Sequence, residues 1–301
     1  MTRIAYCLLV HKNPKQVGRL IRNIYCSSDF FYVNVFGNNF TKEAWKKEFR
    51  EFEGDNFFVS FEYGPSWAMF SVVDGTLSSM RRFACFGYDY FINLSGQCYP
   101  LKSINSIKGL LQDKDFAYME NFKLPAPAYW ANNGGLDRFE YSYYKNPFFI
   151  LGDILLNKKT ARTLGSLGHG PKMFIKLPKL HRQLPYKLEP YGGSAYFCLS
   201  KKHVDYVLEY LKNKPNLIAF FKHAFAPDEI FFQTVILNSV LKETVINDNL
   251  RYIDWSKKGV TPAILTIDDA DNLLNSPKLF ARKFDIESDK AILDLIDRSK
   301  G

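Results

Sequence analysis

Ile4-Ala-Tyr-Cys-Leu-Leu-Val10, followed at once by His11-Lys12-Asn13-Pro14, decides the fold. Its seven apolar residues make a continuous run of strand length, as expected of a strand covered on both faces. Asn13 is a helix-capping residue type and Pro14 suits a first helical position, so a helix should begin there. Val17, Leu20, Ile21 and Ile24 then repeat at helical spacing, and Phe30 to Phe36 reads as a second buried strand. Further on, Asn56 to Ser60 reads as a short third strand, Ser66 to Phe86 as a helix and Tyr90 to Leu94 as another central strand. Strands alternating with helices predict an α/β domain built on a largely parallel sheet, whose ligands sit beyond the carboxyl ends of the strands. The segments at those ends are His11-Lys12-Asn13, Phe36-Gly37-Asn38-Asn39 and Ser95-Gly96-Gln97.

From about residue 117 to 189 the pattern loses regularity and becomes rich in Tyr, Phe, Pro, Asn and Gly, which reads as an insertion. Regular structure resumes with a strand at Tyr196 to Ser200 and a helix from Lys202 to Leu211. The last part holds a strand at Arg251 to Trp255, an apolar strand around Ala263 to Leu265 and the segment Lys278 to Asp285. No internal repeat and no linker divides the chain, so residues 1–301 read as one composite domain.

The 301 residues are 47% hydrophobic and 16% aromatic, enough to bury a sizeable core. Every apolar run is shorter than the roughly 18 residues of a membrane span, and Ile4 opens a strand without a leader, which predicts a cytoplasmic protein. Five cysteines at wide spacing, with no C-x-x-C pair, predict reduced and mostly buried thiols. The net charge of +9 favours an anionic partner: a nucleotide, a phospholipid surface or a nucleic acid. Basic and apolar residues interleave between Lys172 and Lys187, a mixture suited to an anionic membrane surface, although Pro178 and Pro185 argue against one continuous helix.

The chain carries no G-x-G-x-x-G, Walker, H-E-x-x-H or G-x-S-x-G motif, and no RRM or groove-reading signature for nucleic acid. Of two D-x-D-like sites, Asp113-Lys-Asp115 follows no apolar strand, and Thr266-Ile-Asp-Asp269 reads as a capping box. The informative acids are Asp228 and Glu229, after Pro227 and ahead of Ile230, Thr234, Leu237 and Leu241 at helical spacing. They suit a base at a helix mouth, and equally two acids that complement the helix dipole.

Several segments together resemble the Core-2/I-branching β-1,6-N-acetylglucosaminyltransferase family, which includes the peptide O-xylosyltransferases. They are Ile4 to His11 with Arg19 to Tyr25, Tyr90 to Lys102, Gly193 to Ser200, Pro227-Asp-Glu229, Arg251 to Trp255 and Leu279-Phe-Ala-Arg-Lys-Phe284. The resemblance implies a GT-A-like fold and an inverting, metal-independent transfer from a UDP-sugar, with no other cofactor. It implies Glu229 as the base and Lys283, with Arg282 beside it, on the diphosphate. Val10 and His11 then resemble the uridine-proximal turn, and Ser95, Gly96 and Gln97 lie along the donor's path. Asp228, Gly193, Ser194, Tyr196 and Trp255 fall on the acceptor side, though a tight turn explains Gly193 and a core position explains Trp255 equally well. In these terms residues 1–116 are the nucleotide-sugar half, 117–190 an insertion facing acceptor or membrane, and 191–301 the catalytic and diphosphate-binding half.

Three departures from the family pattern stand out. Cys98 replaces an acid, Asn34-Val-Phe36 replaces His-Val-Asp, and Gly259 to Leu265 lacks the family's second phosphate-binding Arg. Arg251, Arg282 or a lysine would take that role, or the diphosphate is held less firmly. The expected partners are a UDP-sugar and a glycan acceptor, including one carried on a lipid as in bacterial surface-glycan synthesis at the inner face of the membrane, and no nucleic acid. The alternative is a catalytically degenerate protein that holds a nucleotide or glycan.

Overall fold

The computed structural model describes residues 1–37, 41–62, 68–126, 130–145, 174–177, 182–256 and 261–300. Its strands in chain order are β1 (Ile4–Val10), β2 (Phe30–Phe36), β3 (Phe57–Glu62), β4 (Tyr90–Ser95), β5 (Cys98–Pro100), β6 (Ala117–Met119) and β7 (Phe122–Lys123). There follow β8 (Ser142–Lys145), β9 (Phe174–Leu177), β10 (Tyr191–Gly192), β11 (Phe197–Ser200), β12 (Val245–Ile246), β13 (Arg251–Ile253) and β14 (Phe280–Arg282). Seven of them form the main sheet in the order β12-β6-β11-β4-β1-β2-β3. The β3, β2, β1 and β4 pairings are parallel, β11 runs antiparallel to β4 and β6, and β12 is parallel to β6. This is the α/β class with a mostly parallel sheet that the strand–helix alternation predicts.

The apolar run of β1 is buried on both faces because alternate residues serve two cores. Ile4, Tyr6, Leu8 and Val10 join the layer that contains helices Pro14–Ile24 and Ala291–Ser299, while Ala5 and Cys7 join the layer of helices Ser71–Phe83, Lys201–Lys212 and Phe231–Leu237. A second sheet, β13-β14-β5, stands next to the carboxyl end of β4, because β5 follows β4 after a two-residue turn and pairs antiparallel with β14. That arrangement carries the Leu279–Phe284 segment to the carboxyl edge of the parallel strands, where α/β sheets commonly bind ligands.

The structure changes several local expectations. Asn13 does not cap its helix: it adopts a left-handed backbone (φ 52°) and its amide donates to Asp285 Oδ1 at 3.2 Å. Pro227–Glu229 is a separate 3-10 turn rather than the first turn of an α-helix, because Ile230 (φ −135°) breaks the chain before helix Phe231–Leu237. Leu241 is in a further 3-10 segment after Ser239, so the single apolar face does not extend to it. The segment read as an insertion supplies β6 to the main sheet and β7 to a pair with β10, so its irregular composition conceals framework strands. Ala263 to Leu265 is not a strand. Its amides instead reach the carbonyls of Asp254 and Lys283 at 2.9 Å each. Thr266 and Asp269 do form the capping box, with Thr266 N donating to Asp269 Oδ2 at 2.8 Å. All five cysteines are free, and Cys7, Cys98 and Cys198 are buried.

A buried ion pair fixes the amino-terminal edge of the sheet. Asp29 Oδ1 accepts from Lys108 Nζ at 2.8 Å and from the Ile4 amide at 3.0 Å, with the two side chains 0% and 6% exposed. Removing one partner strands a buried charge, which typically costs about 3–5 kcal/mol, whereas replacing both is far milder. Lys108→Met should therefore lower unfolding free energy by about that amount in urea titrations, and the Asp29→Asn/Lys108→Met double variant should recover most of it.

Candidate active site

Glu229 stands where three pieces of chain meet. Its turn is entered through Ala226, a left-handed residue (φ 45°) whose amide donates to Ala68 O at 3.0 Å. The Glu229 carbonyl accepts from Gly193 N at 2.9 Å, which ties the turn to the segment between β10 and β11. At Gly193 a Cβ would lie 1.9 Å from the Glu120 carbonyl oxygen, so only glycine allows the two backbones to approach so closely. Ser194 O in turn accepts from the buried Gln233 side chain at 2.7 Å.

The Glu229 side chain is about one-third exposed, and its Oε2 accepts from Arg138 Nη1 at 2.6 Å. Arg138 lies on the short helix Asp137–Glu140, its guanidinium carbon 3.6 Å from the Trp130 ring centroid and 5.7 Å from that of Phe225. Two rings thus hold the cation that meets the carboxylate. Asp228, one residue away, has its Oδ1 sealed from solvent with no hydrogen-bond partner among the described residues. Burial, and then repulsion from Glu229, push its pKa up to about 7 against the pull of Arg138 and Arg282.

Cations gather on the other side of residues 193–196. The Arg282 guanidinium carbon is 4.6 Å from the centroid of the Tyr196 ring, and its Nε is buried without a partner among the described residues. Burial raises the Tyr196 phenol, with Arg282 opposing. Lys283 is pulled below the ordinary lysine value by burial and then by Arg282 and Lys12. His11 is lowered by desolvation and then by Lys12 and Lys283. Lys12 Nζ itself meets Asp285 Oδ2 at 2.6 Å.

On the acid side a cleft of about 330 Å³ is lined by Glu120, Asn247, Asp248, Asn249, Arg251, Ile253, Trp255 and Lys278. Trp255 is 53% exposed, which answers the choice between core and platform in favour of an open ring. Glu120 accepts from Asn249 Nδ2 at 3.0 Å, and burial followed by the nearby Glu229 and Asp248 charges raises it above the usual carboxylate range. Glu229 is not among the residues that line this cleft.

Glu229, Asp228, Gly193, Ser194, Tyr196, Arg282, Lys283 and His11 thus belong to one region. Other candidates serve the frame. Arg251 is 3% exposed, and its guanidinium donates to Cys198 Sγ at 3.1 Å and to the carbonyls of Asn249, Asn93 (2.9 Å) and Phe197 (3.1 Å), so it bolts β13 to β4 and β11. Val10 is fully buried and Gln97 is 6% exposed, its Nε2 donating to Phe284 O at 3.2 Å. Gly96 packs on Val17 and Val10, and its carbonyl accepts from Gln16 Nε2 at 2.7 Å. Ser95 N donates to Cys98 Sγ at 3.4 Å, so the thiol that replaces the family's acid completes the turn. Phe36 fills the space at Gly75, where a Cβ would lie 2.7 Å from its Cζ.

A model of the family described as Core-2/I-branching enzyme matches residues 4–274. The chain belongs to that family. The match holds the Pro-Asp-Glu turn and Trp255 and stops short of Leu279–Phe284. Xylosyltransferase 2 of Homo sapiens is 25% identical over 98% of this chain and 33% of its own length, and xylosyltransferase 1 of Canis lupus familiaris is 24% identical over 98% and 30%. This member of the Core-2/I-branching family thus spans about a third of the length of the curated relatives it matches. A solved structure of core-mannan synthase A (CmsA/Ktr4) from Aspergillus fumigatus, in its Mn/GDP form, overlays loosely on 81% of this chain and 72% of its own, at 9% identity and a TM-score of 0.34.

Sequence reading missed Arg138, Glu120 and the Asn247 to Asn249 lining of the cleft. Glu120 carried no usable signal, since β6, the three-residue strand it follows, is concealed in the irregular segment. Arg138 carried none, because its partner Glu229 lies 91 positions along the chain.

A raised Asp228 pKa means the folded chain holds that proton more tightly than the unfolded chain. Its contribution is fully present below the ordinary value of 3.8 and is lost as pH rises through about 7. Asp228→Asn removes the titration, so urea midpoints should show the variant gaining stability relative to wild type between pH 4 and pH 8. Parallel pH curves for the two proteins would contradict the assignment.

Proposed function

We propose that this family member is an inverting glycosyltransferase that moves a sugar from a UDP-sugar to a hydroxyl of a glycan acceptor, forming a β-linkage. The observation that carries the reading is the segment 193–196, which binds the Glu229 backbone at Gly193 and underlies Arg282 at Tyr196. A carboxylate and a group of cations therefore flank one site at the carboxyl edge of the sheet. Glu229 takes the proton of the acceptor hydroxyl as it attacks the anomeric carbon, and Lys283 and Arg282 stabilise the leaving diphosphate from the opposite side. A single displacement from the far face inverts the anomeric centre. The exposed Trp255 ring and the Asn, Asp and Glu side chains of the adjoining cleft suit a sugar, which needs an apolar platform and many hydrogen-bond partners.

UDP-N-acetylglucosamine and UDP-xylose are the leading donors, with UDP-glucose and UDP-galactose next. No helix among the described residues is long and apolar enough to cross a membrane. Most of the basic stretch around Lys172 to Lys187 lies outside the described residues. A lipid-linked acceptor in surface polysaccharide or lipooligosaccharide synthesis, met at the inner membrane face, remains part of the proposal. The Arg138 contact favours a second reading, a degenerate binding protein, because a guanidinium on the base competes with the acceptor for its oxygen.

Two measurements separate these readings. UDP release from a panel of the four donors, in excess EDTA and with glycan acceptors, should appear with one donor and rise with acceptor, whereas a strict manganese requirement would overturn the reliance on fixed cations. Glu229→Gln should keep UDP affinity and lose transfer by about 10²-fold or more, the scale of general-base removal. Full turnover in that variant would reject Glu229 as the base.

A further inference from the structure

The turn after β1 docks on the segment that follows β14 through four side-chain contacts. Lys12 Nζ reaches Asp285 Oδ2 at 2.6 Å and Asn13 Nδ2 reaches Asp285 Oδ1 at 3.2 Å. Gln16 Nε2 donates to Phe284 O at 3.2 Å and Gln16 Oε1 accepts from Ile286 N at 2.7 Å. Three of the four do not involve Lys12, so the junction is held without it. Asp285 is 11% exposed and is further fixed by the Glu287 amide at 3.1 Å, whereas Lys12 is 39% exposed on a flexible stem. The carboxylate is thus the anchored partner and the ammonium the movable one.

The local charge does not balance. Lys12 and Arg282 both stand close enough to Lys283 to repel its charge, and Asp285, in contact with Lys12, is the acid that opposes them there. An excess of cations at the carboxyl edge of parallel strands is relieved by a multiply charged anion, and Lys12 is the cation of the group whose present partner can be exchanged for one.

We propose that Lys12 is a diphosphate-binding residue, held beside Lys283 by Asp285 and shared between that carboxylate and the leaving diphosphate of the donor. This rests on the UDP-sugar reading given above. Lys12 then supplies a third cation beside Arg282 and Lys283 in a chain whose Arg251 is committed to backbone carbonyls, and Asp285 limits how firmly the diphosphate is gripped.

Calorimetric titration of the full chain with UDP and with uridine tests it, using Lys12→Met, Lys12→Arg, Asp285→Asn and Lys283→Met, with melting temperatures as the folding control. Lys12→Met should weaken UDP about ten- to a hundredfold, the range of one charge-assisted contact, and leave uridine unchanged. Lys12→Arg should retain most of the affinity. Asp285→Asn frees the ammonium, so it should bind UDP as well as wild type or better. If Lys12→Met and Asp285→Asn weaken UDP alike, or if Lys12→Met weakens uridine as much as UDP, Lys12 is a framework clamp and the proposal fails. Unchanged UDP affinity in Lys283→Met would instead overturn the underlying diphosphate reading, and this proposal with it.

Discussion

Gly193 passes between two carbonyl groups, and the geometry of the candidate site depends on that passage. Its amide donates to the Glu229 carbonyl on one side, and its missing Cβ makes room for the Glu120 carbonyl on the other. A side chain there would push apart the end of β6 and the turn that carries Glu229. The same segment continues through Ser194, held by Gln233, to Tyr196 under Arg282 and then into β11 at the middle of the main sheet. One tight approach therefore sets the spacing of Glu229, Glu120 and Arg282 against a rigid frame. Loops rarely give such precision; a strand end locked into two sheets does.

The two adjacent acids occupy different surroundings because the chain breaks between turn and helix. Ile230 ends the 3-10 turn, which leaves Glu229 within reach of Arg138 and Asp228 Oδ1 in a sealed position. Neighbouring carboxylates disfavour double ionisation, and here only Glu229 has a cation in direct contact. The repulsion is accordingly resolved at Asp228, whose pKa rises to about 7. Paired titratable groups driven apart by their surroundings are how one site keeps distinct acid and base roles near neutral pH.

The parallel half of the sheet was legible in the sequence because β1, β2 and β4 are buried on both faces, so hydrophobic runs mark them without ambiguity. β6 and β10 were not, because strands of three and two residues leave no periodicity to read. Glu229 and Lys283 were singled out by short motifs, and their roles belong to the proposed function. In sequence Arg251 reads as a candidate cation for the diphosphate, and only tertiary structure shows it buried between two sheets with donors on the carbonyls of Asn93 and Phe197. Asn13 misled for a similar reason, since a capping residue type says nothing of a partner 272 positions away that takes its side chain instead.

On the proposed transferase reading, Arg138 gives helix Asp137–Glu140 a part in the chemistry. An arginine stacked on Trp130 and paired with Glu229 ties the position of that helix to the carboxylate. If Glu229 is the base, as proposed, an acceptor hydroxyl brings its own donor to the same carboxylate and loosens the Arg138 contact as it binds. Proton transfer would then be favoured chiefly with acceptor in place, which would disfavour hydrolysis of the donor by water. Helix Asp137–Glu140 would in that case be a condition on the reaction rather than a decoration of the fold.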